Sequence, residues 1–299
     1  MHVDFIEYPS VMLLSHTPNP ERVIAAAAKL CYSTKNPEEL YQDLTDEDIS
    51  KFIKRLMQMN HFSPFEHATF TFGITNMSRS CLAQITRHRI ASFSVKSQRY
   101  VDYRKNPVAL IPIDIRGTES EEAFKKATAE EFERYSEMVD TLMYEHMYSF
   151  IIENEHLDGL SEALKDQDIN KVEIVKSYKK SFPSDDGVNI KALQFDREWK
   201  RFEKIAFENA RALLPNSAAT SMILTMNVRA LFEFFNKRCC NRAQDEIRHV
   251  AWDMLHLVQG VSSDIFENAG PECLRGACPE RGMSCGKPYQ PITNQFVIK

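Results

Sequence analysis

His67-Ala-Thr-Phe-Thr-Phe-Gly-Ile-Thr75 decides the fold. Ala68, Phe70, Phe72 and Ile74 fall on one face of an extended chain, and Thr69, Thr71 and Thr75 on the other. A period of two over this length describes a half-buried strand. Downstream, Asn76 and Ser78 can cap a short helix that runs through Cys81, Leu82 and Ile85 towards Arg87. Upstream, Ile49, Phe52, Ile53, Leu56 and Met57 recur at helical spacing from Thr45 to Met59. Thr45 and Asp48 have capping-box spacing, and Asn60 is a natural terminator.

Further along the chain helices dominate. Residues 119–152 read as one long helix or two, with Phe124, Phe132, Tyr135, Val139, Leu142 and Met147 as the apolar stripe. From Glu153 to about Asp196 the chain turns polar, with Pro183, Asp185, Asp186 and Gly187 as breakers. This segment is expected to be a surface insertion without a core. Arg197 to Leu214 is helical again and ends at Pro215. A further helix is expected from near Ser221, through Leu231, Phe234 and Phe235, breaking near Cys239 and reaching Leu257. The tail after Gly270, rich in Gly, Pro and Cys, should lack regular structure. Few strands among many helices predict an α/β or α+β protein, a small sheet with helices packed on it.

Composition narrows the function. The 299 residues can bury a substantial core. A net charge of −5 argues against general attraction to nucleic acid or anionic membranes, so an anion site must be a local cluster. No apolar run is long enough to span a membrane, and Asp4 and Glu7 stand where a secretory signal would be basic. A cytoplasmic protein with reduced thiols is expected, since seven Cys in such a chain do not imply a disulfide framework.

The chemistry concentrates in Arg87-His-Arg-Ile-Ala-Ser-Phe-Ser-Val-Lys-Ser-Gln-Arg-Tyr100. Arg87, His88, Arg89, Lys96 and Arg99 alternate with Ser92, Ser94 and Ser97, in a segment without hydrophobic periodicity of its own. Guanidinium forks and short hydroxyls suit a phosphate or another polyanion. Gln84 lies three and four residues before Arg87 and His88, on the same face of a helix end. A solvated basic loop is the plain alternative.

This segment resembles the signature of the flavin-dependent thymidylate synthases: Arg87-His88-Arg89, seven residues, Ser97, then Arg99 and Tyr100. His61-Phe-Ser-Pro-Phe-Glu-His67, Ala210-Arg-Ala-Leu-Leu-Pro215 and Met226 to Arg238 resemble other blocks of the family, in the family's order. Ala243-Gln244 and Glu246-Ile247 continue the likeness. The resemblance implies a thymidylate synthase-complementing-type fold with a small central mixed or antiparallel sheet. It implies reductive methylation of dUMP to dTMP, with FAD as cofactor, NADPH as reductant and methylenetetrahydrofolate as carbon donor. It also implies a homotetramer with shared active sites. Residues 1–258 would form the catalytic domain, interrupted by the 153–196 insertion, with 259–299 as a cysteine-containing tail.

Carried residue by residue, the resemblance assigns Gln84, Ser97, Arg99, Arg211 and Arg238 to dUMP. Arg99 and Arg211 suit its phosphate; Arg238 suits the uracil edge, where negative charge develops as C5 becomes nucleophilic. Arg238 and Ser97 are the catalytic candidates. Ser97 fits better as a hydrogen-bonding group, because no adjacent base is evident to activate it as a nucleophile. Ser63, Glu66, Arg87, His88, Arg89, Ile90, Asn227 and Arg229 match FAD-contacting positions, and His61 the folate side. Positive charge from Arg87 and Arg89 would stabilise reduced flavin.

Ser94 and Val95 replace an Asn and an acidic residue of the pattern. Glu233 and Arg242 replace an Asn and a His, and Cys31 a small hydroxyl residue. Cys273, Cys278 and Cys285 could hold zinc or iron, but no Cys-x-x-Cys pair or obvious fourth ligand accompanies them, so free thiols are expected. Cys239 and Cys240 read as packing residues. Two competing functions stand beside the synthase. One is a nucleic-acid-binding protein, disfavoured by the charge; the other is an FAD- and nucleotide-binding relative without folate turnover.

Overall fold

The computed structural model describes residues 1–154, 170–182 and 189–287. The chain divides into two compact units. One comprises Phe5–Lys96, Val108–Glu121 and Asn216–Lys299; the other comprises Met1–Asp4, Ser97–Pro107 and Glu122–Pro215.

The first unit is built on a four-stranded antiparallel sheet in the order β2 (Ser10–His16), β3 (Thr69–Ser78), β6 (Ala219–Asn227), β4 (Ser92–Val95). β3 is the expected alternating strand, with Phe70, Phe72 and Ile74 fully buried. Its register against β6 shifts between Ile74 and Met77, where Asn76 takes a left-handed φ of 62°. Asn tolerates that conformation better than other side-chain-bearing residues. The shift puts Met77 on the buried side. A separate two-stranded sheet pairs β1 (Asp4–Ile6) with β5 (Val108–Leu110).

Helices cover one face of the larger sheet. α1 (Pro20–Leu30) brings Ile24, Ala25 and Ala28, and α3 (Asp46–Gln58) brings Ile49, Ile53 and Leu56. α2 (Pro37–Asp43) lies between them, capped by an Asn36–Glu39 capping box. Thr45 caps α3 as expected, accepting the Asp48 N–H at 3.2 Å, and Asn60 follows the helix end at φ 55°. α8 (Val228–Arg238) and α9 (Asp245–Val261) complete the core with Leu231, Phe234, Phe235, Val250, Met254 and Leu255. The opposite face shows Thr71 hydrogen-bonded to Thr225 at 2.9 Å and leaves Met12, Leu14 and Ile223 about half exposed.

Three expectations need correction. Residues from Ala219 are a strand, and the helix begins only at Val228. The run Ser-Met-Ile-Leu-Thr-Met is short and apolar enough to fit either element. Its buried positions alternate as Thr220, Met222, Leu224 and Met226, and pairing to both β3 and β4 makes it the sheet's second central strand. The signature segment, read as having no periodicity of its own and with a solvated loop as the plain alternative, contributes the edge strand β4. The polar segment expected to lack a core supplies two helices to the second unit.

That second unit centres on α5 (Ser120–Asn154), one continuous 35-residue helix. α6 (Lys171–Lys180) and α7 (Ile190–Ala210) pack with it. Met147, Ile151, Val175 and Phe195 form an apolar cluster ringed by Tyr144, Trp199 and Phe202. The breakers Pro183, Asp185, Asp186 and Gly187 lie outside the described residues. No described helix is long and apolar enough to cross a membrane.

Candidate active site

Two short helices grow directly out of the two central strands, each capped by the strand's last residue. β3 ends at Ser78, whose Oγ accepts the Cys81 N–H at 3.0 Å and starts α4 (Arg79–Ile85). The Ser78 N–H and hydroxyl both donate to Glu246, at 2.6 and 2.5 Å. Glu246 stands in the first turn of α9, only 4% exposed. Burial raises its pKa, and the two bonds from Ser78 oppose the rise. This contact ties α4 to α9.

β6 ends at Asn227, whose Oδ1 accepts the Ala230 N–H at 2.8 Å. From there α8 rises about 16 Å over its eleven residues. Because β6 runs antiparallel to β3, the helix returns Arg238 to the end of α4. There Arg238 Nε donates to His88 Nε2 at 3.1 Å, and Nη2 reaches the Gln84 carbonyl at 3.4 Å. The Gln84 side chain donates to Gln244 at 3.0 Å.

The electrostatics of this cluster follow from crowding. Burial lowers the pKa of Arg238, and Arg87 lowers it further, but a guanidinium stays charged. Burial first, then Arg238 and Lys237, lowers the pKa of His88 to about 4. His88 is therefore a neutral imidazole that accepts at Nε2 and carries its proton on Nδ1. Its ring meets Phe234 edge-on at 4.9 Å. Gln84, His88 and Arg238, three of the expected residues, thus share one half-buried cluster. The guanidinium spends two of its five donors on the protein. The remainder can serve an oxygen that gains negative charge.

Other expected residues occupy a rim. Arg87, Arg89 and Ile90 are exposed in the turn after α4, Ile90 at 65%. Glu66 pairs with Arg229 in the first turn of α8. His61 and Ser63 are exposed ahead of β3, Ser63 opening a 3₁₀ turn that runs to His67. A cleft of about 460 Å3 opens beside this rim, lined by Met57, Phe62, Arg229, Phe232, Asn236 and Arg275 among others. Met57, Phe62 and Phe232 give it an apolar wall suited to a flat ring, and the two guanidiniums share the lining with the carboxylates of Glu233 and Glu272.

Ser97, Arg99 and Arg211 belong to the second unit. There Ser97 Oγ accepts the Arg99 N–H at 3.1 Å, and Arg99 pairs with Glu208 at 2.8 Å. Arg99 also stands over the Tyr100 ring at 5.6 Å, as does Lys204. An open groove of about 530 Å3 runs past Arg99, Lys200, Arg201 and Lys204. Arg211 opens the 3₁₀ turn after α7 and is exposed.

Sequence reading passed over Glu246 as a positioning group and Lys200 and Lys204 as groove cations. Glu246 had a signal: it heads an i, i+4 series with Val250, Met254 and Val258 that is otherwise apolar. Lys200 and Lys204, also four apart, carried no such signal. Among the described residues no group of three or more His, Cys, Asp or Glu is arranged to hold a single metal ion. Cys273, Cys278 and Cys285 carry free thiols.

Residues 12–262 match the family described as thymidylate synthase complementing protein. The chain is 38% identical over 277 residues to a flavin-dependent thymidylate synthase of Clostridium tetani, covering 93% of each chain. It is 37% identical over 279 residues to one of Geobacter sulfurreducens, covering 93% of this chain and 94% of that one. A solved UMP/dUMP methylase, PolB of Streptomyces cacaoi bound with 5-Br dUMP, shares the fold at TM-score 0.57 and 18% identity, over 88% of this chain and 95% of that one. The chain belongs to the thymidylate synthase complementing family, the flavin-dependent thymidylate synthases.

Proposed function

We propose that the protein converts dUMP to dTMP by reductive methylation, with FAD as cofactor, NADPH as reductant and methylenetetrahydrofolate as the carbon donor. The observation that carries this reading is the Arg238 cluster. A guanidinium is held against a neutral His88 and the Gln84 carbonyl, where family likeness puts the nucleotide. When bound, FAD supplies hydride transfer to the nucleotide. Arg238 holds the uracil edge and stabilises the negative charge that develops on its carbonyl oxygen as C5 attacks the carbon donor. Gln84 hydrogen-bonds the base, Arg99 and Arg211 neutralise the phosphate, and Ser97 hydrogen-bonds the nucleotide.

Ser63, Glu66, Arg87, His88, Arg89, Ile90, Asn227 and Arg229 hold FAD in this reading, with His61 on the folate side. The apolar wall of the cleft beside Arg229, with Phe62 and Phe232, supports a place for that cofactor's ring. Residues 1–258 form the catalytic domain, with 153–196 as an insertion and 259–299 as a tail. The protein works as a cytoplasmic homotetramer. The half-exposed Met12, Leu14 and Ile223 on the uncovered sheet face support association.

The test is tritium release. The protein is incubated with FAD, NADPH, methylenetetrahydrofolate and dUMP tritiated at C5. Release that requires FAD and NADPH, accompanied by dTMP and lost in Arg238→Ala, is expected. No release from protein that binds both FAD and dUMP would overturn the synthase and leave a nucleotide-binding flavoprotein.

A further inference from the structure

Five of the seven cysteines line one pocket: Cys239, Cys240, Cys273, Cys278 and Cys285. It lies where the end of α8 meets the tail. The pocket has a narrow interior of about 30 Å3 and about 510 Å3 of empty space once its open mouth is counted. Ordinary core packing does not explain the gathering, because only Cys239 is buried; Cys240, Cys273 and Cys278 are half-buried and Cys285 is exposed. Trp252 lines the same pocket, and its buried indole N–H has no hydrogen-bond partner among the described residues. An unpaired buried donor is costly, and an anionic sulfur in the pocket would satisfy it.

The tail is held in place. Arg242 donates to Glu280 at 3.3 Å and to the Met283 carbonyl, and Arg275 donates to Asn236 and the Asn268 carbonyl. Two 3₁₀ turns, Glu272–Leu274 and Arg281–Met283, fold it back on itself. These contacts bring the three tail thiols, Cys273 to Cys285, around to Cys240, the fourth thiol that the tail itself lacks.

Zinc draws four sulfurs to about 3.8 Å from one another, given Zn–S bonds near 2.3 Å, and no three of these groups are arranged for a single ion. In an iron–sulfur cluster each thiolate ligates its own iron, so the four sulfurs surround the guest instead of meeting at a point. We propose that Cys240, Cys273, Cys278 and Cys285 bind a [4Fe–4S] cluster at the mouth of this pocket, with Trp252 Nε1 donating to one of its sulfurs. Ligation releases four thiol protons to solvent. Lys287 in the lining offsets part of the thiolate charge; Arg242, also in the lining, is paired with the Glu280 carboxylate beside it. Cys239 is buried in the core and serves as apolar wall.

The experiment uses the full chain, expressed with added iron and purified without oxygen. Iron, acid-labile sulfide and zinc are measured per chain, and electron paramagnetic resonance is recorded after dithionite reduction. The expected result is about four irons and about four sulfides per chain, with a reduced-cluster signal distinct from flavin semiquinone. Cys240→Ser and Cys278→Ser should each lose most of the iron while keeping far-UV circular dichroism and bound FAD. Zinc without sulfide overturns the proposal. So does metal-free protein that still contains no iron after incubation with ferrous ion, sulfide and dithiothreitol. Should the serine variants fail to fold, the wild-type iron and sulfide content decides alone.

Discussion

Glu246→Ala tests how α4, the helix that carries Gln84, is held in place. The Glu246 carboxyl accepts from the Ser78 N–H at 2.6 Å and from the Ser78 hydroxyl at 2.5 Å, and Ser78 is itself only 2% exposed. Hydrogen bonds to a charged group contribute about 1.5–3 kcal/mol each. The desolvation that raises the Glu246 pKa offsets part of that. A net loss of roughly 3 kcal/mol is expected for alanine, which leaves the buried Ser78 N–H without an acceptor. Glu246→Gln keeps an acceptor for that N–H and removes only the second bond, so a loss of about 1 kcal/mol is expected. The pH dependence has a definite sign. A carboxyl whose folded pKa is raised contributes its full stability below the unfolded value near 4.5, and the contribution declines as pH rises through the folded value. The gap between wild type and Gln therefore narrows from pH 4 towards pH 7. Urea unfolding followed by far-UV circular dichroism, at one fixed protein concentration, measures all three variants. Alanine within 1 kcal/mol of wild type would refute the role given to Glu246, as would glutamine destabilising as much as alanine.

Other perturbations follow from the same geometry. His88 has a folded pKa of about 4 against 6.5 unfolded, so wild type should lose stability as pH falls from 6.5 towards 4; His88→Phe should flatten that slope in urea titrations at several pH values. Arg238→Lys keeps the charge but not the fork, and dTMP formation should fall about 100-fold while bound FAD stays unchanged. Arg99→Ala should raise the KM for dUMP by about 10- to 100-fold with a smaller effect on kcat, from the loss of one charge-assisted contact. Asn227→Ala removes the cap of α8 and should cost about 1 kcal/mol in the same denaturation assay.

What the sequence made legible was local. β3 could be read because its alternation coincides with burial on one side, and α3 because Thr45, its apolar stripe and Asn60 all agree. β6 could not, because Met222, Ile223 and Leu224 are all apolar. A run of that kind is extended only because two neighbouring strands pair with it. The helices at 171–180 and 190–196 were hidden in the same way. Their buried side chains, Val175 and Phe195, are sparse among charges, and their packing partners Met147 and Ile151 lie on α5. Resemblance singled out Gln84, His88 and Arg238 one by one, but their contact depends on a separation of about 150 residues closed by the sheet.

The two central strands explain why those residues meet. Each strand ends in a residue that can cap a helix, Ser78 or Asn227, so each passes into a helix without a loop. A seven-residue helix from one strand and an eleven-residue helix from its antiparallel neighbour start at opposite ends of the sheet. Started from opposite ends, they run towards each other, and the last residue of the longer helix reaches the last turn of the shorter. Lengthening or shortening α8 by one residue would turn Arg238 by about 100° and carry it away from His88. The position of the cation is thus set by helix length and by two caps. A site built this way keeps its geometry only while Asn227 starts the helix and Glu246 holds the other one still, which makes these two residues as consequential for Arg238 as anything that touches it.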